Sequence, residues 1–286
     1  MGDESSSSTT KDIIDSVKGV AEAVPIYDDM LQPAAKELGK GFLTVAKTVN
    51  VALAPLQGVV WGYEKIRDRF FPKIEERLKN VPPENIITPK ISVAGPIMEA
   101  LRYTGSEEAL SDLYANLLAA SMDKATATSA HPAFTEIIKQ LTPDEAKIIA
   151  MFPDEPSLPL IDMRRLSSLP GTEAGYSIVL RNYSHIGEMA GCEHMSLVPA
   201  YLDNLVRLGL AEIPNGSHYT SEDLYSPLEN SEFIQSVKRG VEKHEIYRVV
   251  FDRKYLAVTT LGQQFACICT GQQPIQVIVE AGPKKA

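Results

Sequence analysis

Phosphate binding, metal ligation and proton transfer each demand particular side chains at particular spacings, and four places in the chain come near one of them. Gly39-Lys40-Gly41 has the glycine-lysine step of a phosphate-cradling loop. That loop needs a glycine five positions before Gly39, where Ala34 stands, and a Ser or Thr after the lysine, where Gly41 stands, so the match fails. His185, Cys192 and His194 bring metal-binding side chains close together, but in no recognised ligand spacing. Cys267 and Cys269 are separated by one residue on a segment that reads as helix, where they point to different faces and do not easily chelate one ion. His131, after a loop and beside Pro132, is the best single candidate for a functional imidazole, although that position suits capping or packing better. No nucleophile elbow, two-histidine zinc helix or glycine-rich dinucleotide turn is present. The expectation is a protein that is not an enzyme, with no catalytic, cofactor-binding or metal-ligating residues.

The elements that would position these side chains are mostly helices. Leu31, Ala35, Leu38, Phe42, Val45 and Val49 form one helical face over Ile26 to Asn50, after a shorter helix over Lys11 to Val24 that Pro25 ends. Gly62 to Asn80 places Ile66, Phe70, Ile74 and Leu78 four apart among charges of both signs, which predicts an amphipathic helix kinked or divided at Pro72. Val81 to Lys90 reads as an extended connector. Ile91 to Tyr103 is a further helix, and Thr104 with Glu107 offers a capping box for the next, Glu107 to Asp123. That helix carries Leu110, Leu113, Tyr114, Leu117, Leu118 and Ser121 on a broad stripe and must be substantially buried. His131-Pro132 opens a short helix through Gln140.

From Leu141 the pattern changes. Thr142-Pro143-Asp144-Glu145 combines an N-cap, a first-turn proline and a capping-box glutamate, and starts a helix to about Phe152. A strand over Leu158 to Leu166 follows, then helices over Tyr176 to Ala190 and Ser196 to Leu208, with Gly209 as stop. Leu210 to Ile213 starts a strand, Tyr247 to Val258 reads as two strands around a turn at Asp252-Arg253-Lys254, and Thr259 or Thr260 caps a final helix to about Cys269. That order is the order of a winged-helix domain whose wing carries an insertion over about 214–245. The helix that would enter a DNA groove offers Arg207 as its one permanent cation and also carries Asp203, so sequence reading of DNA is not favoured. The predicted fold is mainly α (α+β), an N-terminal helical bundle followed by a winged-helix-like domain with small antiparallel strands. Its divisions are a disordered tail over 1–10, a helical domain over 11–140, the winged-helix-like domain over 141–271 and a C-terminal tail over 272–286.

Composition narrows the function classes. The chain has 286 residues, 44% hydrophobic and 23% charged, which are ordinary globular values and exclude a fully disordered chain. Its 28 Lys and Arg against 37 Asp and Glu give a net charge of −9, which argues against a general nucleic-acid coat. The charge divides almost evenly at residue 140, so neither half hides a basic total. Three cysteines exclude a disulfide framework and suit a reducing, cytoplasmic setting. The opening MGDESSSSTT lacks the positive start and apolar core of a secretory signal. Met1-Gly2 with Ser6 partly matches a myristoylation start, against which Asp3 and Glu4 weigh. The run from Gly41 to Gly62 approaches the length of a membrane span, but Lys47, Asn50, Pro55 and Gln57 interrupt it, and a buried helix pair broken at Ala54-Pro55 is the favoured reading.

At residues 114 to 149, YANLLAASMDKATATSAHPAFTEIIKQLTPDEAKII, the sequence resembles the abortive-infection alpha family, a bacterial group associated with resistance to phage. LQPAAKELGKGF at 31–42, VALAPLQ at 51–57 and RLKNVPPENIITPKISVAGPIMEALRY at 77–103 match the same family in the same order. The resemblance is close over residues 25–152 and looser beyond. Its most characteristic stretch holds Asn116, Ser121, Met122, Asp123, His131, Pro132 and Phe134, with no catalytic role attached to them. The resemblance implies participation in phage defence by halting or killing the infected cell. The leading expectation is a cytoplasmic, non-enzymatic effector or sensor that needs no cofactor and acts through an unidentified protein partner, phage or host, with room for a homo-oligomer. The alternatives are a membrane-active toxin that releases the Gly41–Gly62 hairpin, and a winged-helix DNA-binding regulator.

Overall fold

In the computed structural model the described residues are 63–104, 107–169, 175–244 and 246–272, all within one compact unit spanning residues 45–286. The fold is α+β, about half helical with one four-stranded antiparallel sheet. Among the described residues five helices come first: α1 (Tyr63–Leu78), α2 (Ile91–Thr104), α3 (Glu108–Met122), α4 (Ala133–Ile138) and α5 (Pro143–Ile149). Strands β1 (Ser157–Ser167) and β2 (Tyr176–Tyr183) precede α6 (Ile186–Met189) and α7 (Val198–Arg207). Then come β3 (Ala211–Glu212), α8 (Ser226–Glu229), α9 (Glu232–Glu242), β4 (Tyr247–Val258) and α10 (Thr260–Thr270).

Helix α3 is the axis of the helical layer. Ten of its residues are buried, including Leu113, Tyr114, Leu117 and Leu118. Helices α1, α2, α4, α5 and α10 all pack against it. From α1, Phe70, Phe71, Ile74 and Leu78 are buried at three- and four-residue spacing, the periodicity of one helix face. Pro72 lies inside α1 without dividing it, on the exposed side. One apolar core runs from Phe70 to Cys269 and crosses Leu141 without a break. A second, smaller core holds Ile161, Met163, Tyr225, Leu228 and Ile234 between the sheet and the 214–245 insertion, whose helices α8 and α9 lie against β1 and β4.

The sheet order is β2-β1-β4-β3, with β1 and β4 paired along 11 residues from Ser157↔Ala257 to Ser167↔Tyr247. β1 matches the strand expected over Leu158–Leu166, and β4 is longer than the short strands expected. Tyr176 to Tyr183 is a strand, not the start of a helix, and only Ile186–Met189 of the expected Tyr176–Ala190 helix forms. Tyr, Ile and Val suit a pleated surface, and the open side of β1 supplies backbone partners that local periodicity does not reveal. Tyr247 to Val258 is one continuous strand, without the turn expected at Asp252-Arg253-Lys254. Those polar residues stay in register because each meets an opposite charge: Asp252 pairs with Arg164, Arg253 with Glu229 and Lys254 with Asp162.

Of the two expected capping boxes, the one at Thr142 and Glu145 forms, with Thr142 Oγ1 accepting the Glu145 N–H at 3.2 Å and Glu145 Oε2 accepting the Thr142 N–H at 2.6 Å. The other does not. Thr104 ends α2 and its hydroxyl donates back to the Ala100 carbonyl, so α3 starts at Glu107 without a side-chain cap. The connector at 81–90 contains a short 3-10 turn over Pro83–Asn85. The expected helices over 11–24 and 26–50, the Gly41–Gly62 run, the 1–10 tail and residues 273–286 lie outside the described residues. Among the described residues no helix is long and apolar enough to cross a membrane.

Candidate functional site

The characteristic residues of the 116–134 stretch run along the second half of α3 and through its turn into α4, and Asn116 and Phe134 reach α10. Asn116, midway along α3, joins three helices. Its Oδ1 accepts from Arg77 Nε of α1, and its Nδ2 donates to the Cys269 carbonyl of α10 at 2.7 Å. Arg77 continues the network by donating to Asp112 Oδ1 at 3.0 Å and to the Lys73 carbonyl at 2.9 Å, and Lys73 donates to Asp112 at 2.9 Å. Gly271, the left-handed stop of α10 at φ 73°, leaves room for the Asn116 amide, because a Cβ there would lie 3.2 Å from Asn116 Oδ1.

At the end of α3, Ser121 is buried and its hydroxyl donates to the Leu118 carbonyl at 2.7 Å. Met122 is fully buried, and its carbonyl accepts the Ile87 N–H at 2.7 Å. Asp123 pairs with Ile86 in an isolated bridge, and its Oδ1 accepts the Ala125 N–H at 2.9 Å, which opens the turn. The turn then reaches α10, where Gln264 Nε2 donates to the Ser129 carbonyl at 3.2 Å. His131 is exposed, and its Nδ1 accepts the Ala133 N–H at 3.1 Å at the start of α4. Pro132 is the N-cap of α4. Phe134 is fully buried and meets Phe265 of α10 edge to face at 5.2 Å. A shallow surface groove of about 330 Å³ lies between the turn and α10, lined by Ser129, Thr260, Gln263, Gln264, Cys267 and Ile268. Asn116, Ser121, Asp123 and His131 thus each use a side-chain polar atom on a backbone group of this region.

A second polar centre went unnoticed in the sequence. Asp144, on the first turn of α5, is buried, and its carboxylate accepts the N–H groups of Glu193 at 2.9 and 3.0 Å and of His194 at 2.9 Å, and the Lys147 ammonium at 2.9 Å. Burial pushes this carboxyl up, but the two backbone N–H groups and Lys147 outweigh it and hold it at about 2. Its neighbour Glu145 accepts Asn204 Nδ2 of α7 at 2.7 Å while completing the cap of α5. The two adjacent carboxylates therefore anchor both the loop before α7 and α7 itself. Only the capping role of Glu145 could be read from residue order.

The side chains considered for metal binding are dispersed. Cys192 is buried, with Sγ 3.7 Å from the Asp144 carbonyl; His194 is exposed; and His185 Nε2 faces Glu188 at 4.0 Å. Cys269 is fully buried and Cys267 is partly exposed, and burial pushes both thiols up. Among the described residues no cluster of three His, Cys, Asp or Glu side chains could hold a metal ion. On α7, Arg207 turns to the protein, donating to Asn204 Oδ1 at 2.6 and 2.9 Å and to Gln140 Oε1 at 3.0 Å.

A third centre crosses the sheet. Lys254 of β4 donates to Asp162 Oδ1 of β1 at 2.6 Å and to Asn182 Oδ1 of β2 at 2.7 Å. Asn182, the one non-glycine residue with positive φ (52°) among the described residues, returns its N–H to Asp162 at 2.8 Å and its Nδ2 to Asp203 of α7 at 3.0 Å. This network ties three strands to α7. It also belongs to a concentration of charge that sums over each half of the sequence conceal: β1, β2 and β4 together hold six cations and two carboxylates.

Comparison with known proteins adds a family. The family model described as abortive infection alpha matches residues 62–269. No curated protein matches the chain. A solved structure of an uncharacterized protein from the hydrocarbon-degrading marine bacterium Alcanivorax borkumensis SK2 is 21% identical, over 51% of this chain and 96% of that one, with a TM-score of 0.32.

Proposed function

The chain belongs to the abortive infection alpha family, and from that premise we propose that it acts in bacterial anti-phage defence as a non-enzymatic effector or sensor, working in the cytoplasm through contacts with a protein partner. The observation that carries the defence reading is the family match over residues 62–269. What supports a non-enzymatic role is the use made of the characteristic residues. Asn116 fastens α1 and α10 to α3, Asp123 opens the turn after it, His131 accepts the first N–H of α4 through Nδ1, and Phe134 fills the core against Phe265. These are positioning roles. In this reading residues 141–271 are a winged-helix-like domain in which β1 has been lengthened into a hairpin with β2, and the helices before it form a helical domain. The order α5, β1, α6, α7, β3, β4, α10 supports that assignment.

A plaque assay tests the proposal. Cells expressing the wild type should yield fewer or smaller plaques than cells with empty vector, and His131→Ala should protect as well as wild type. Absence of protection by the wild type refutes the defence reading. Loss of protection in His131→Ala with an unchanged unfolding midpoint refutes the purely positioning role of His131, because an exposed imidazole accepting one helix N–H contributes only about 1 kcal/mol to stability.

A further inference from the structure

The sheet is basic in an acidic protein. Strands β1, β2 and β4 carry Arg164, Arg165, Arg181, Arg248, Arg253 and Lys254 against Asp162 and Asp252, a surplus of four positive charges in a chain of net −9. The two strand carboxylates are the ones paired with Lys254 and Arg164, and Glu229 on the insertion side holds Arg253, which leaves Arg165, Arg181 and Arg248. Of these, Arg181 lies on β2 and Arg165 on its neighbour β1, whereas Arg248 lies one strand further, on β4. Arg181 is exposed and has no hydrogen-bond or ion-pair partner among the described residues. Arg165 lies over the Tyr247 ring at 4.5 Å and donates to Ser177 Oγ of β2 at 3.1 Å, which carries its guanidinium toward that strand. Arg248 of β4 is also exposed, with no partner among the described residues.

Strand β2 is itself an open edge. Among the described residues its neighbour in the sheet is β1 alone, which leaves a row of backbone N–H and C=O groups on its other side. Tyr176, Ser177 and Ile178 are exposed, with Tyr176 at 58% and Ile178 at 39%. Register places Tyr176 beside Leu166 and Ile178 beside Arg164, while the irregularity at Val179 puts Leu180 opposite Met163 and so returns Arg181 to the side of Arg164. A strand added to this edge would meet Tyr176, Ile178 and Arg181 on one face and Arg165 on the other. Beyond Arg181 the positive φ of Asn182 ends the regular strand, which limits the docking length to about six residues.

We propose that the open edge of β2 binds an acidic, extended polypeptide segment of a partner protein by strand addition, with Arg181 and Arg165 engaging its carboxylates on opposite faces. A second copy of the chain fits less well, because pairing β2 with β2 would bring two positive surfaces together. A nucleic acid would satisfy the charge but not the outward-facing amide and carbonyl groups, which a peptide backbone matches. The site is argued from the sheet alone; its use in defence rests on the function proposed above.

Titration of the full chain with a fluorescein-labelled nine-residue peptide, alternating glutamate with threonine or valine, tests the site by fluorescence anisotropy. Saturable binding that weakens with salt is expected. Arg181→Glu should weaken it at least tenfold. Arg248→Glu, separated from the docked segment by both β2 and β1, should weaken it only about two- to threefold through the field it contributes. The same peptide methylated on alternate backbone nitrogens should not bind. The proposal is overturned by absent binding, by Arg181→Glu binding as wild type, by a larger effect of Arg248→Glu than of Arg181→Glu, by undiminished binding of the methylated peptide, or by tighter binding of an oligo-dT strand. The plaque assay of the wild type reads the defence function separately, so the two failures are distinguishable.

Discussion

Replacing Asp144 by Asn keeps the shape of the side chain and removes the charge that organises the loop before α7. Two backbone N–H groups and one ammonium lose a carboxylate acceptor, and the new amide presents donors to donors. The folded carboxyl stands at about 2 against an ordinary value of 3.8, and at roughly 1.4 kcal/mol per pH unit this is worth about 2 kcal/mol. The carboxylate is only 5% exposed, so solvent does little to screen it. Because the folded value is depressed, this stability is complete above the unfolded value and is lost as pH falls toward 2. At pH 3 about 1 kcal/mol of it should already be gone. Urea unfolding followed by circular dichroism measures the difference between wild type and Asp144→Asn, whose other titrating groups are shared. The expected separation is about 2 kcal/mol at pH 7, a midpoint shift of about 1 M urea, shrinking to about 1 kcal/mol at pH 3. A separation that stays constant from pH 7 to pH 3, or one below about 0.5 kcal/mol at pH 7, would refute the assignment of Asp144 as a charged organiser.

Two further substitutions probe other junctions. Ala at Gly262 would place a Cβ 1.8 Å from the Leu210 carbonyl oxygen, where α10 crosses the turn into β3, so Gly262→Ala should cost about 3 kcal/mol or more and reduce soluble yield. Gly240→Ala, on α9 with open space around it, should instead raise the unfolding free energy by up to about 1 kcal/mol; similar behaviour of the two variants would contradict the packing described. Lys254→Met strands the Asp162 carboxylate, which is 8% exposed, and should cost about 3–5 kcal/mol in urea unfolding. Adding Asp162→Asn should recover a large part of that loss, and a double variant no more stable than the single one contradicts the pairing.

Much of the helical layer was legible because its signals are local. The buried stripe of α3, the cap at Thr142, the stop at Gly209 and the start of α10 at Thr259 each follow from residues within one or two turns. The misreadings share a cause. Tyr176 to Tyr183 is compatible with helix or strand over so short a span, and the edge of β1 decided between them. Asp252-Arg253-Lys254 resembles a turn by polarity, and partners 24 to 92 residues away hold it extended. Thr104 sits three residues before Glu107 as a capping box requires, yet α2 continues through it and takes its hydroxyl.

Sequence alone determined the family, through phrases matched in order, and the helical character of the first described half, through periodicity that any neighbour would satisfy. The tertiary structure decided where charge acts. Asp144 reaches Glu193 and His194, Asn116 reaches Cys269, and Lys254 reaches Asp162 and Asn182 across separations of 49 to 153 residues. A total of −9 averages over such meetings, whereas Coulomb interactions fall with distance and depend on which groups the fold brings within a few ångströms. The basic edge of β2 is therefore absent from any count along the chain and exists only once three strands lie side by side.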